Sequence, residues 1–136
     1  MKFVFLCDDN YLKGDLLAFV NNFPQEHSLE VMSAEKFLQE KCFPNGTFAI
    51  LTERLTWQKN FSLFRYFGLL PVLEALPLGI VNRTRRIEPL KGRSSVRNQE
   101  FYFISATTPE EISAQLNRFI AAPPQSFSYP KGLAKA

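Results

Sequence analysis

Two adjacent carboxylates, Asp8 and Asp9, follow directly after the apolar segment 2–6 and precede a helical pattern. The apolar segment predicts a buried strand, and open parallel α/β sheets place their sites beyond the carboxyl ends of strands. Two neighbouring acids repel each other and are hard to desolvate, so they suit a divalent cation such as Mg²⁺ or a cationic side chain. The same residues also serve in turns and as N-caps, because their oxygens accept hydrogen bonds from free backbone N–H groups. Both interpretations of the pair stay open on the sequence.

Other residues that could carry chemistry are sparse. His27 is the only histidine, and it has no visible nucleophile partner, so a surface or capping role is favoured over catalysis. The two cysteines, Cys7 and Cys42, have no nearby Cys or His that would complete a metal site, and we expect packed free thiols of a reducing compartment. Trp57 either anchors an interface or covers the edge of the core.

The chain has 136 residues and is 46% hydrophobic, which is enough to fill one core. We expect a single domain over residues 1–122 and a flexible polar tail over residues 123–136, which Pro and Gly punctuate. No apolar run is long enough to span a bilayer. The apolar start of the chain is too short for a signal peptide. These features predict a cytoplasmic protein with no membrane partner.

Extended and helical patterns alternate along the chain. Strands are predicted over residues 2–6, 27–32, 47–52, 77–82 and 101–104. Ser33 and Thr108 are expected to cap helices, segment 53–60 is interpreted as loose, and Pro71 is expected to kink or divide the helix predicted over 61–76. The alternation predicts an α/β three-layer sandwich with a flavodoxin-like parallel sheet, strand order 2-1-3-4-5.

This order of elements, together with two local motifs, resembles the receiver domain of two-component response regulators over residues 1 to about 122. The motifs are segment 6–10, with its acidic pair, and segment 101–112, which resembles the last strand and last helix of a receiver. In active receivers the acidic pair and a phospho-accepting aspartate at the end of the third strand hold Mg²⁺. A Ser or Thr after the fourth strand and a Lys after the fifth then contact the phosphoryl oxygens.

The positions of the receiver site fall on Asp8, Asp9, Thr52 (or Glu53 if the register moves by one), Asn82 (or Arg83) and Ser105. The acidic pair is retained, but the acceptor aspartate and the lysine are replaced. A glutamate does not form the acyl phosphate in the same geometry, a threonine has no activating base, and no lysine neutralises the phosphoryl group. The resemblance therefore implies a pseudo-receiver that is not an enzyme, needs no cofactor and regulates signalling through protein–protein interaction.

A basic segment, residues 83–97, stands between the fourth and fifth predicted strands, where a receiver carries a helix. It contains one acid, Glu88, and six cations, namely Arg83, Arg85, Arg86, Lys91, Arg93 and Arg97. Pro89 and Gly92 oppose a helix, so an irregular loop or β-hairpin is expected. Such a cluster would neutralise nucleic-acid phosphates or dock on an acidic protein. As a purely structural element it would be a solvated loop whose arginines pair with nearby carboxylates.

Two further functions stay open beside the pseudo-receiver. One is a nucleic-acid-associated protein that binds through the basic segment. The other is a small Mg²⁺-dependent enzyme at Asp8 and Asp9, with Glu53 as a third ligand. The receiver resemblance also implies a homodimer surface on the last helix and fifth strand, with Tyr102, Gln115 and Arg118 facing outward. The partner of the pseudo-receiver would be a signalling protein.

Overall fold

A computed structural model describes residues 1–82, 101–104 and 108–121 of the chain. The strands are β1 (Lys2–Leu6), β2 (Ser28–Met32), β3 (Thr47–Glu53), β4 (Leu78–Asn82) and β5 (Phe101–Ile104). The helices are α1 (Asp15–Asn21), α2 (Ala34–Glu40), α3 (Arg54–Tyr66), α4 (Leu70–Glu74) and α5 (Pro109–Ala121), and a short 3₁₀ turn spans Asp9–Tyr11. The predicted alternation of strands and helices is therefore present.

All the strand pairs of the described sheet are parallel. β1 lies between β2 and β3, and β4 pairs with the outer side of β3, so the order β2-β1-β3-β4 agrees with the prediction. The segment Phe101–Ile104 pairs in parallel with β4. In this register Leu6 is the partner of Thr52, so the carboxyl ends of β1 and β3 lie side by side. This adjacency brings the acidic pair close to the end of β3.

Each face of the sheet packs against helices, because alternate strand residues point to opposite faces. On one face Phe3, Phe5 and Phe103 pack with apolar residues of α1 and α5. On the other face Val4, Leu6 and Ile50 pack with apolar residues of α2, α3 and α4. Trp57 belongs to this second layer and is only 2% exposed, so it is a core residue and not an exposed anchor.

The α3 helix begins earlier than the pattern predicts. The sequence favours a loose segment over residues 53–60, but Glu53 is the N-cap and the helix starts at Arg54. The helix ends at Tyr66, and Gly68 then adopts a positive φ of 70°, a conformation that favours glycine. Pro71 lies in the first turn of α4, where a missing N–H costs nothing. The predicted division of the 61–76 helix is thus present, and it falls at Gly68.

The two predicted N-caps are confirmed. The Ser33 hydroxyl accepts a hydrogen bond from the Lys36 N–H at 3.1 Å at the start of α2. The Thr108 hydroxyl accepts from the Glu111 N–H at 3.3 Å and donates to the Glu111 carboxylate at 3.0 Å. Both contacts join residues three apart, and this short separation is why sequence alone predicts them.

Two expectations about exposure are wrong. Gln115 is only 8% exposed, so it does not face outward from α5, although Arg118 on the same helix is exposed. Cys7 is buried as expected, but Cys42 is exposed beyond the end of α2.

None of the helices in the described part of the chain is long and apolar enough to cross a membrane.

Candidate functional site

The candidate site lies where β1 and β3 end, at the carboxyl edge of the sheet. Asp8 follows β1, and Thr52 and Glu53 are the last two residues of β3. The pairing of these two strands places the predicted acidic pair and the predicted acceptor positions in one region. The end of β2 also lies at this edge, since the Cys7 N–H donates to the carbonyl of Met32, the last residue of β2, at 3.0 Å.

Glu53 is a buried helix cap. Its carboxylate accepts hydrogen bonds from the N–H groups of Leu55 and Thr56, both at 2.8 Å, and from the Thr56 hydroxyl at 2.9 Å. The side chain is 3% exposed. The first N–H groups of a helix lack partners within the helix, and the positive end of the helix dipole favours an anion there. Within the described residues, this local chemistry accounts for the hydrogen bonds of the Glu53 carboxylate.

Asp8 caps a different helix across the sheet edge. One carboxylate oxygen accepts from the N–H of Ala34, the first residue of α2, at 2.8 Å. The other accepts from the Asn60 amide at 3.4 Å. The capping interpretation of the acidic pair is therefore correct for Asp8, but the helix that it caps is α2 and not the turn that follows it. Asp9 is exposed in that turn.

Thr56 connects the two carboxylates, and sequence analysis did not single it out. Its hydroxyl accepts from the Asp8 N–H at 2.9 Å and donates to Glu53 at 2.9 Å. Asn60, one turn further along α3, donates to the Thr56 carbonyl at 2.9 Å as well as to Asp8. We call these four residues, Asp8, Glu53, Thr56 and Asn60, the capping network. Glu53 and Thr56 are three residues apart in the reverse of the usual capping-box order, Ser or Thr followed by Glu, so the sequence carried little signal for the network.

Thr52 is fully buried in β3, at 0% exposure. Its hydroxyl donates to the Glu53 carbonyl at 3.3 Å, and in the register Thr52 lies between Leu6 of β1 and Ile80 of β4. A buried hydroxyl without an adjacent base does not act as a nucleophile toward a phosphodonor. Among the residues that the structure describes, nothing activates an oxygen at either position where the receiver's acceptor falls, Thr52 or Glu53.

The described residues at this edge do not form a ligand set for Mg²⁺. Mg²⁺ needs oxygen ligands in octahedral geometry, whereas the oxygens of Asp8 and Glu53 accept hydrogen bonds from N–H and O–H donors. In residues 1–82, 101–104 and 108–121 no group of three acidic, His or Cys side chains is arranged to hold a metal.

His27 lies at the opposite edge, before β2. Its Nδ1 atom is 3.0 Å from the α-amino group of Met1, and its ring packs edge-on against Phe3 with ring centroids 5.5 Å apart. Burial and the nearby ammonium group lower the pKa of His27 from its usual value, and Glu26 opposes this shift. Because the Met1 ammonium group can only donate, Nδ1 of His27 accepts the hydrogen bond between them. This contact agrees with the predicted surface or capping role.

The remaining predicted site residues fall outside the described part of the chain. These are the Asn82 side chain, Ser105 and the six cations of the basic segment, Arg83, Arg85, Arg86, Lys91, Arg93 and Arg97. The same holds for the Tyr102 side chain and for the tail over residues 123–136. The structure thus brings together Asp8, Thr52 and Glu53, and predictions about the other positions stay predictions.

Comparison with known proteins identifies no relative. No family model matches the chain, and neither a curated protein nor a solved structure is significantly similar to it. The class that the geometry defines is an α/β protein with a parallel sheet and helices on both faces.

Proposed function

We propose that the protein is a receiver-like regulatory protein that acts through protein–protein interaction and is not switched by phosphorylation. The observation that carries this proposal is the capping network, in which the oxygens of Asp8 and Glu53 are bound to helix N-termini. Carboxylates that cap helices, as Asp8 and Glu53 do, stabilise the scaffold, and on this proposal they take no part in phosphotransfer. On this proposal the protein is not an enzyme and needs no cofactor.

The fold supports the scaffold half of the proposal. The order β2-β1-β3-β4 and the helices on both faces agree with a flavodoxin-like sandwich. The segment Phe101–Ile104 beside β4 and the capped helix α5 agree with the last strand and last helix of a receiver. We infer that the full sheet has five strands and that the protein belongs to the pseudo-receiver type, with signalling as its context.

Incubation with acetyl phosphate and Mg²⁺, followed by intact-mass measurement, tests the absence of phosphotransfer. We expect no phosphoryl adduct, because Thr52 is buried and the Glu53 oxygens are occupied by α3 donors. An active receiver domain treated in parallel shows that the phosphodonor works. A stable adduct of one phosphoryl group that disappears in Asp8→Asn would overturn the proposal.

Nucleic-acid binding is a second candidate function, and one sequence observation favours it. Six cations against the single acid Glu88 give residues 83–97 more positive charge than the net +3 of the whole chain. Binding to phosphates through such a segment weakens steeply with added salt, because counterions are released on binding. Titration of the protein with labelled duplex and single-stranded oligonucleotides at several salt concentrations distinguishes this candidate from the first.

A further inference from the structure

The C-terminal end of α3 exposes an apolar cluster that the capping network does not use. Leu63 is 43% exposed, Tyr66 is 81% exposed and Phe67 is 48% exposed. In the described part of the chain, these are three of the five large hydrophobic residues with such exposure. Residues three and four apart lie on one side of a helix, so the three side chains form a single surface. We call this surface the α3 patch. Clustered exposed apolar residues are typical of interaction sites.

An open apolar cleft of about 490 Å³ is lined in part by residues that follow the α3 patch closely in sequence. It is lined by the loop between α2 and β3, including Phe43, and by Pro71, Val72 and Leu76 in and after α4. The loop also reaches the patch, since the Lys41 Nζ atom lies 5.6 Å from the centre of the Phe67 ring. Phe43 stacks on Phe37 with ring centroids 4.6 Å apart, so the core supports this wall of the cleft.

The patch and the cleft lie at the end of the sheet away from the capping network. α3 starts beside the network and runs for 13 residues, which is about 20 Å of helix. The cleft is lined by Thr47, the first residue of β3, whereas the capping network contains Glu53, the last residue of that strand. Changes in the patch therefore leave the capping network intact.

Positive charge surrounds this surface. α3 contains Lys59 and Arg65 near its C-terminal half and no acidic residue. Lys41 lies over Phe67, and the Lys2 Nζ atom donates to the Asn45 carbonyl at the cleft at 3.0 Å. The acidic residues on the neighbouring helices α2 and α4 that come closest in sequence to the surface are Glu40 and Glu74. The cations named here outnumber them, so the surface complements an acidic partner.

The chain's own remaining segments have the wrong charge to cover this surface. Residues 122–136 contain Lys131 and Lys135 and no acidic residue, and the basic segment has six cations. A second copy also carries a net charge of +3, so association of two copies is opposed by repulsion. The charge balance favours a different molecule.

We propose that the α3 patch and the adjoining cleft bind an acidic peptide segment of another protein, with aromatic or aliphatic side chains as anchors. This inference rests on the proposed function, because it gives the protein–protein interaction a surface and a partner chemistry. The cleft receives an apolar anchor, Tyr66 and Leu63 cover the adjacent part of the peptide, and Lys41, Lys59 and Arg65 pair with its carboxylates.

Selection of a displayed library of short random peptides on the full chain tests this proposal. We expect enrichment of peptides that combine Asp or Glu with Leu, Phe or Trp. The joint variant Leu63→Ser, Tyr66→Ser should bind an enriched peptide about tenfold or more weakly, because truncation of central anchors commonly costs that much. The variant Lys59→Glu, Arg65→Glu should bind it more weakly at low salt, with a smaller difference at high salt.

Matched controls lie on the other side of the sheet. Leu17→Ser removes an equally exposed hydrophobic residue, 41% exposed on α1, and Lys13→Glu reverses a charge before that helix. Both should leave peptide binding unchanged. Thermal unfolding of every variant establishes that it is folded, and the charge-reversal variant keeps the test decisive if the double Ser variant does not fold.

Four results would overturn the proposal: no enriched peptide, enrichment without acidic residues, equal binding by patch and control variants, or loss of either self-association or oligonucleotide binding in the patch variants. The last would assign the surface to a second copy or to nucleic acid. The peptide-binding proposal and the proposed function can fail separately. If the protein accepts a phosphoryl group and still selects acidic peptides, only the proposed function is contradicted. If it accepts no phosphoryl group and selects no acidic peptide, only the peptide-binding proposal is contradicted.

Discussion

At the scale of single residues, the capping network shows how two acidic side chains, Asp8 and Glu53, stabilise the fold. Thr56 is fully buried, and its hydroxyl both accepts from the Asp8 backbone and donates to Glu53. One hydroxyl therefore links the end of β1 to the N-cap of α3. A buried group of this kind is costly to leave without a partner.

Replacement of Thr56 by Val keeps the shape of the side chain and removes both hydrogen bonds. We expect the free energy of unfolding to fall by about 1–3 kcal/mol, because the Asp8 N–H loses its acceptor and Glu53 Oε1 loses one of its two donors. Urea unfolding measures the change. Thr56→Ser retains the hydroxyl and should lose less than Thr56→Val. Equal losses in the two variants would show that the methyl group contributes as much as the hydroxyl and would contradict a dominant role for the hydrogen bonds.

His27 makes stability depend on pH. Its pKa in the folded protein lies below its usual value, because of burial and the Met1 ammonium group. The unfolded chain therefore takes up the proton first, and the stability that the neutral imidazole contributes is present above about pH 6.5 and is lost as the pH falls below it. We expect His27→Gln to flatten the dependence of unfolding free energy on pH in this range. An unchanged slope would assign the dependence to other groups.

At the scale of elements, the helices depend on side chains that cap them from outside their own turns. α2 uses its local N-cap Ser33 and also Asp8, which lies after β1. α3 uses Glu53, the last residue of β3. Both helices are therefore held to the carboxyl edge of the sheet by carboxylates of neighbouring strands, which orients them as well as satisfying their N–H groups.

Substitution of Gly79 in β4 provides a test of the packing between β4 and β5. A Cβ atom at this position would lie 2.7 Å from Cε1 of Phe103 and 2.9 Å from Cδ2 of Leu51. We expect Gly79→Ala to destabilise the protein by about 1–3 kcal/mol through overpacking. Urea unfolding of Gly79→Ala, Phe103→Leu and the double variant forms the measurement.

The two changes should not add, because a leucine side chain in place of Phe103 is smaller and would relieve part of the clash with the new methyl group. Additive losses would contradict the placement of Phe103 beside Gly79, and with it the position of β5.

At the scale of the whole molecule, the cations are concentrated on a few segments. The basic segment holds six of the sixteen Lys and Arg residues, while Lys41 lies over Phe67 and Lys59 precedes the exposed Leu63 by one turn of α3. A modest net charge of +3 therefore conceals locally strong positive surfaces. Such surfaces steer negatively charged partners toward the protein.

Joint replacement of Arg85, Arg86 and Arg93 by Ala separates the two candidate functions. If the basic segment binds nucleic acid, oligonucleotide binding should be lost and the salt dependence of the residual binding should be shallower. Thermal stability should change little if these side chains are exposed, because exposed charges contribute little to folding. Unchanged oligonucleotide binding would remove the basic segment as a nucleic-acid site, and a large loss of stability would show that the arginines are structural.

The local elements were predictable from sequence because their signals are short-range. The strand segment 2–6 is an unbroken apolar run, and Ser33 and Thr108 bind N–H groups three residues away. Periodicity and caps of this kind depend on the chain within one or two turns. The start of α3 was missed because Glu is an uncommon N-cap and its capping pattern was not recognised.

The role of the candidate site depended on tertiary structure. Asp8 binds Ala34 and Asn60, which are 26 and 52 residues away, and no local pattern indicates such partners. The solvent exposure of aromatic side chains also depended on tertiary packing, since Trp57 is buried whereas Tyr66 on the same helix is open to solvent. The amino-acid sequence by itself determined which segments form strands and capped helices, through local backbone preferences. Only packing in three dimensions decided that Asp8 of the acidic pair caps α2 and which apolar side chains remain exposed, because both follow from contacts between distant segments.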